Sequence, residues 1–127
     1  MRWRFTQDVR DLKDFKSTYE TKRIEKAWAK IKKRLERPLE SEYKLAVIEA
    51  DDFLNDIFRG MKYKGESFGD RLKQVTPDIL PNIEEVKRVH EIRNNIVHDP
   101  DYQLSLEQAQ VFIKTFEKAL QDLNIFS

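Results

Sequence analysis

The chain has 127 residues, of which 37% are charged and 39% hydrophobic, and its net charge is +1. That length suits one domain that buries about two-thirds of its unfolded surface, and the high charge is typical of amphipathic helices. The absence of cysteine excludes disulfides and thiolate metal sites, and no apolar run approaches the ~20 residues of a membrane span. We therefore expect a single cytoplasmic domain over residues 1–127, with no transmembrane segment.

The first predicted element is a basic helix from about Thr6 to Glu36, which Pro38 ends. Residues 1–37 hold 13 Lys or Arg against 6 Asp or Glu, whereas the remainder of the chain is acidic. Such a stretch attracts nucleic acid or an anionic membrane surface. The plainer interpretation, which we prefer, is an amphipathic helix whose exposed face is basic and which docks on the acidic remainder.

The second predicted helix begins after Pro38, where Ser41 is placed to cap it. Its inward side carries the apolar residues of the segment: Leu45, Ile48, Phe53, Ile57 and Met61. The three glycines of the chain follow, so the segment from Gly60 to Gly69 is predicted to be a flexible connecting loop. A short third helix containing Arg71 to Val75 is expected after this loop.

The fourth predicted helix is capped by Asn82 and ends near His98, because Pro100 disfavours helical geometry at Asp99. Its inward side carries Ile83, Val86, His90, Ile92, Ile96 and Val97.

The fifth predicted helix starts at a capping box formed by Ser105 and Gln108 and runs to about Leu123. No segment alternates apolar and polar residues as a strand would. The predicted fold class is therefore all-α, an antiparallel bundle of four to five helices.

The fourth helix carries the side chains with the most evident chemistry, which are Arg93, Asn94 and His98, with His90 one helical stripe earlier. An imidazole is the commonest general acid or base, and a guanidinium can hold a phosphate in two-pronged fashion. His90 and His98 lie about 12 Å apart on an ideal helix, too far to bind one metal ion. An imidazole and a guanidinium without metal ligands around them are a plausible set of groups for cleaving RNA, and no metal or cofactor is expected.

The motif Arg93-Asn94-x-x-x-His98, late in an all-helical domain, resembles the signature of the HEPN superfamily. The wider segment 86–98, with its His-x-x-Arg-Asn-x-x-x-His core, resembles a group of uncharacterised bacterial helical proteins. The segment 44–51 is similar to a second block of that group. The resemblance covers about residues 40–123, with residues 1–37 as an additional basic helix.

Membership of this superfamily implies one of two functions. Many members are metal-independent endoribonucleases, whereas others are non-catalytic RNA-binding or assembly modules. Catalytic members usually work as homodimers whose two motifs meet along this helix, and some act with a protein partner or antitoxin. The resemblance then makes His98 the general acid or base, Arg93 the phosphate clamp and Asn94 the residue that orients one of them. Toxin-type members commonly have a tyrosine two residues after the histidine, where this chain has Pro100.

The spacing of the motif leaves a structural interpretation open beside the catalytic one. On an ideal helix Arg93 lies about 140° from His98, so the two converge only at a distorted helix end or with a second subunit. Asn94 and His98 could instead share a hydrogen bond one helical turn apart. Arg93 would then pair with a carboxylate on the second helix. The candidates are Glu49 and Asp51, which with His90 are expected to support the motif.

Overall fold

The computed structural model describes the backbone of residues 7–126 and the side chains of residues 20–126. Over that range the chain forms five helices and one 3₁₀ turn, and it contains no strand. They are α1 (Gln7–Lys33), the turn Arg34–Glu36, α2 (Glu40–Gly60), α3 (Phe68–Leu72), α4 (Ile83–His98) and α5 (Leu106–Asp122). The predicted all-α fold class is confirmed. None of the helices described has the length and apolar character needed to cross a membrane.

The start of α2 differs from the prediction. The helix begins at Glu40, so Ser41 lies inside its first turn and does not cap it. The residue before the helix is Leu39, whose side chain has no oxygen, and its carbonyl accepts the amides of Glu42 and Tyr43 at 3.0 and 3.2 Å. The first turn is thus closed by backbone bonds alone. The predicted start of α1 at Thr6 lies outside the described residues.

The third helix includes only Arg71 and Leu72 of the segment predicted to be helical, and the prediction is wrong for residues 73–75. The Ser67 hydroxyl accepts the amide of Asp70 at 3.1 Å and starts α3 at Phe68, and the helix ends at Leu72. The predicted loop is therefore shortened by this cap, because Phe68 and Gly69 belong to the helix.

The ends of α4 and α5 largely follow the prediction. α4 ends at His98, and Ser105 and Gln108 form the reciprocal capping box, with bonds of 3.1 and 2.9 Å. Asn82 does precede α4, but its side chain does not cap the helix. Its amide nitrogen instead donates to the carbonyl of Thr115 at 3.1 Å, which ties the start of α4 to α5.

The core is built around α2, which packs against α4 and α5. The carboxylate of Glu40, at the start of α2, accepts the amide of Leu104, just beyond the end of α4. Asp51 in the middle of α2 pairs with His90 in the middle of α4, so the two helices are antiparallel. The fully buried side chains of the largest volume are Phe58, Phe116, Leu54, Leu72, Leu80, Ile83, Leu120, Val47, Val86 and Asp51.

Three apolar residues predicted to face inward are exposed instead. Leu45, Met61 and Val97 expose 41%, 39% and 47% of their surface. The antiparallel pairing places Leu45 on α2 at the level of Val97 on α4, and the core side of each helix is filled by neighbours such as Val47 and Ile96. Leu45 and Val97 are therefore left exposed on the two adjacent helices.

The basic helix α1 docks on acidic side chains of the bundle. Trp28 is buried and donates from its indole nitrogen to Glu117 at 3.0 Å, and Lys32 pairs with the same carboxylate at 2.7 Å. Arg34 bridges Glu42 and Glu49 with three bonds of 2.9 Å. The expected docking of a basic helix on acidic neighbours is thus present at these two points.

Candidate functional site

A buried carboxylate lies at the centre of the contact between α2 and α4. Asp51 exposes 2% of its surface, and one of its oxygens lies 2.8 Å from the Nδ1 atom of His90. Burial raises the pKa of Asp51, while the hydrogen bond to His90 and the charge of Arg93 oppose that rise. Because a buried unpaired carboxylate is costly, this pairing fixes the position of the His90 ring.

Arg93 is held by three oxygen atoms of its own chain. Its guanidinium donates to Asp52 at 3.3 Å and to the side-chain oxygen of Asn94 at 3.2 Å, and its Nε atom lies 3.6 Å from Asp51. Nε is buried and makes no hydrogen bond to any described residue. Two carboxylates therefore offset the positive charge of Arg93.

Arg93 was expected to pair with Asp51 or Glu49 on α2. It pairs with Asp51, and the prediction is wrong for Glu49. Glu49 pairs with Arg34 near the end of α1, and its place beside Arg93 is taken by Asp52. Glu49 and Asp52 lie one helical turn apart, and the register between α2 and α4 decides which of them faces Arg93. Asp52 was missed, although it follows Asp51 directly in the sequence.

His98 lies apart from the rest of the predicted motif. α4 stays helical to its end at His98, so the distortion that would bring His98 towards Arg93 does not occur. His98 is exposed and makes no hydrogen bond or ion pair to any residue of the described part of the chain. The expected bond between Asn94 and His98 is also not formed, because the Asn94 oxygen accepts from Arg93. Within one chain, the site therefore contains Asp51, His90, Arg93 and Asn94, and His98 lies outside it.

Two clefts meet at His90. The acidic cleft, of about 410 Å³, lies towards α2 and is lined by Asp51, Asp52, Asn55, Asp70, Arg93 and Asn94 among others. The basic cleft, of about 340 Å³, lies towards the start of α4 and is lined by Lys73, Lys87, Arg88, Glu84 and Leu72 among others. Gly69, Lys73, His90 and Glu91 border both. Among the side chains described, no three His, Asp or Glu residues lie together as ligands for one metal ion.

The short helix α3 forms the wall that both clefts share. The ring of Phe68 packs edge-on against His90 at 5.1 Å, and Arg71 fastens the preceding loop to α2. Arg71 donates to the carbonyls of Tyr63 and Gly65 and to the Asn55 side chain, at 2.8–3.2 Å. The predicted flexible connector is thus tied down next to the site. The signal available in the sequence was Ser67 followed by Asp70, an N-cap pattern in a glycine-rich stretch.

No model of a known protein family, no curated protein and no solved structure matches this chain.

Proposed function

We propose that this chain is a HEPN-like, RNA-associated interaction module that pairs with a second copy of itself, and in which Arg93 organises the fold. The observation that supports this proposal is the environment of Arg93. Asp52 and Asn94 each accept one of its hydrogen bonds, and Asp51 lies 3.6 Å from its Nε atom. A guanidinium whose charge is already offset by carboxylates is poorly prepared to hold a phosphate. In this proposal the motif stabilises the contact between α2 and α4.

The outward strip formed by Leu45 and Val97 supports self-association. Both residues are exposed and apolar. They lie near the Arg93–Asp52 pair, because Val97 is one helical turn from Arg93 and Leu45 is two turns from Asp52. An isologous dimer is the commonest protein assembly, and it would cover the strip on both copies at once. The proposed two-fold axis passes near Asn94 and His98.

The association with RNA is assigned to α1. Its lysines Lys22, Lys26, Lys30 and Lys33 recur at helical spacing and are exposed, whereas Lys32 and Arg34 are engaged with the bundle. A solvated stripe of cations along one helix face attracts a phosphate backbone without reading its sequence.

Filter binding of a single-stranded RNA across a salt series tests this assignment. Replacing Lys26, Lys30 and Lys33 together with glutamine should weaken binding and make its dependence on salt shallower. Each lost phosphate contact lowers the salt slope by roughly 0.7. The matched control replaces Lys62, Lys64 and Lys114, which are equally exposed, and it should leave binding near the wild-type value. An equal loss of RNA affinity in the two triple variants would contradict the proposal, and so would the absence of RNA binding at low salt.

The second candidate function is metal-independent RNA cleavage, and the state of His98 favours it. An exposed imidazole that makes no bond within the described chain is free to act as a general acid or base. A second copy across the proposed axis would supply the neighbouring groups that its own chain does not. His98 would take the proton from a 2′-hydroxyl, and Arg93 would stabilise the charge on the phosphorus centre.

Incubation with a mixed RNA pool in EDTA separates the two functions. If the chain is a nuclease, wild-type protein leaves 2′,3′-cyclic phosphate ends, and His98→Ala lowers the rate by about 10²–10⁴-fold. The non-catalytic proposal predicts no cleavage by either protein while RNA is still bound. Equal cleavage by both proteins would rule out His98 as the catalytic group.

A further inference from the structure

His90 presents one of its two ring nitrogens to the clefts. Its Nδ1 atom is engaged by Asp51, whereas Nε2 makes no hydrogen bond to any residue of the described range, although it is not a buried atom. Gly69 packs across from it. A Cβ atom at Gly69 would lie 3.7 Å from Nε2, so the absence of a side chain there leaves the nitrogen accessible.

The basic cleft, which His90 and Gly69 border, carries more positive than negative side chains. Lys73, Lys87 and Arg88 line it, against the carboxylates Glu84 and Glu91. Lys73 also forms a solvated pair with Asp70 at 3.9 Å, which offsets its charge only weakly. Lys87 and Glu84 form a solvated pair at 3.6 Å, which offsets both charges only weakly. Arg88 is exposed and pairs with none of the described carboxylates. The cleft volume of about 340 Å³ lies at the lower end of the range for small-molecule sites, roughly 300–1,000 Å³.

We propose that the basic cleft binds a small organic phosphate, with the Nε2 atom of His90 donating to a phosphate oxygen and Arg88 and Lys73 offsetting its charge. The site adjoins the Arg93–His98 motif through Asp51, and it goes beyond the function proposed above. The aliphatic stems of Lys73, Lys87 and Arg88, which line the cleft, give it an apolar side for the carbon part of the ligand.

Asp51 fixes the orientation of the His90 ring in this site, and the number of protons on the pair decides whether Nε2 donates. When the Asp51–His90 pair holds two protons, one lies between the carboxylate and Nδ1 and the other lies on Nε2. Nε2 is then a donor aimed at the cleft. An anion bound there stabilises this state, so Asp51 acts as a positioning residue that does not touch the ligand.

Titration of the full chain with uridine monophosphate and, separately, with inorganic phosphate tests the site. The chain has only two histidines, so the ring resonances of His90 report on the cleft and can be distinguished from those of His98. We expect His90 to shift with both ligands, with the nucleotide binding more tightly. Equal affinity for the two would contradict an organic ligand, and unmoved His90 resonances with both would overturn the site.

Gly69→Ala is the decisive variant because it adds one methyl group in front of Nε2. The neighbouring atoms lie at ordinary contact distances, and alanine favours a helix more than glycine, so the fold should be retained. Loss of one charge-assisted hydrogen bond should weaken nucleotide binding about tenfold or more. Gly60→Ala adds the same methyl where no atom lies within 4 Å and should bind as wild type does.

Arg88→Gln tests the charge of the cleft in the same titration. It should weaken nucleotide binding several-fold, and Arg59→Gln, on an exposed arginine elsewhere, should not. Undiminished binding by Gly69→Ala would overturn the role of Nε2, and equal effects of the two arginine variants would overturn the assignment to the basic cleft.

Discussion

The polar contact between α2 and α4 depends on one buried residue, Asp51. It accepts from His90 and faces Arg93, so three ionisable side chains meet at this contact. The sequence identified Asp51 and His90 as supporting residues, because a carboxylate in an apolar stretch is usually paired if it is buried. It did not identify Asp52, because the register between α2 and α4 determines whether Glu49 or Asp52 lies beside Arg93. The packing of the two helices sets this register, and the motif does not.

The raised pKa of Asp51 predicts how stability depends on pH. Burial raises this pKa above the usual value of about 3.9, against the opposing effects of His90 and Arg93. Above pH ~4 the folded chain therefore keeps a proton at Asp51 that the unfolded chain has released. The stabilisation from that proton is complete below this pH and is lost as pH rises through the raised pKa.

Urea unfolding at several pH values measures this effect. The free energy of unfolding of the wild type should fall relative to Asp51→Asn as pH rises from about 4 towards neutrality, since asparagine does not titrate. Asp56→Asn removes an exposed acid of the same helix and should track the wild type across the range. A difference between the wild type and Asp51→Asn that stays constant or grows with pH would contradict the assignment.

The secondary-structure elements show which helix ends are encoded locally. The end of α4 before Asp99-Pro100 and the capping box of α5 depend on neighbouring residues alone, and both were predicted from the sequence. The start of α2 was not, because Leu39 has no capping side chain and the Ser41 position was the only visible signal. The role of Asn82 was missed for a different reason. Its partner, Thr115, lies 33 residues away and is brought near only by packing.

Ser105→Ala tests the predicted cap of α5. Loss of the side-chain oxygen that accepts the Gln108 amide should lower the free energy of unfolding by about 1 kcal/mol. For a chain of this size that corresponds to roughly 3–5 °C in the midpoint of thermal unfolding. Ser41→Ala is the matched control, since Ser41 caps no helix, and its midpoint should stay close to that of the wild type. Equal shifts in the two variants would show that the capping box does not stabilise α5.

At the scale of the whole molecule, α2 and α4 pack side by side and leave an apolar strip facing outward. The sequence placed Leu45 and Val97 in the core because helical spacing identifies an apolar stripe without revealing how much of it the neighbours cover. Exposed apolar side chains taken singly are ordinary on a protein surface. Two at one level on adjacent helices, beside the Arg93–Asp52 pair, are the basis for proposing that a second copy covers them.

Sedimentation equilibrium of the wild type, Val97→Lys and Val111→Lys tests the proposed pairing most directly. Val111 is an exposed valine on α5, so its variant adds the same charge away from the strip. We expect a dimer for the wild type and Val111→Lys at protein concentrations on the order of tens of micromolar, and a monomer for Val97→Lys, in which two like charges would meet across the axis. A monomeric wild type at these concentrations, or a Val97→Lys variant that is still dimeric, would contradict the pairing of two copies along this face.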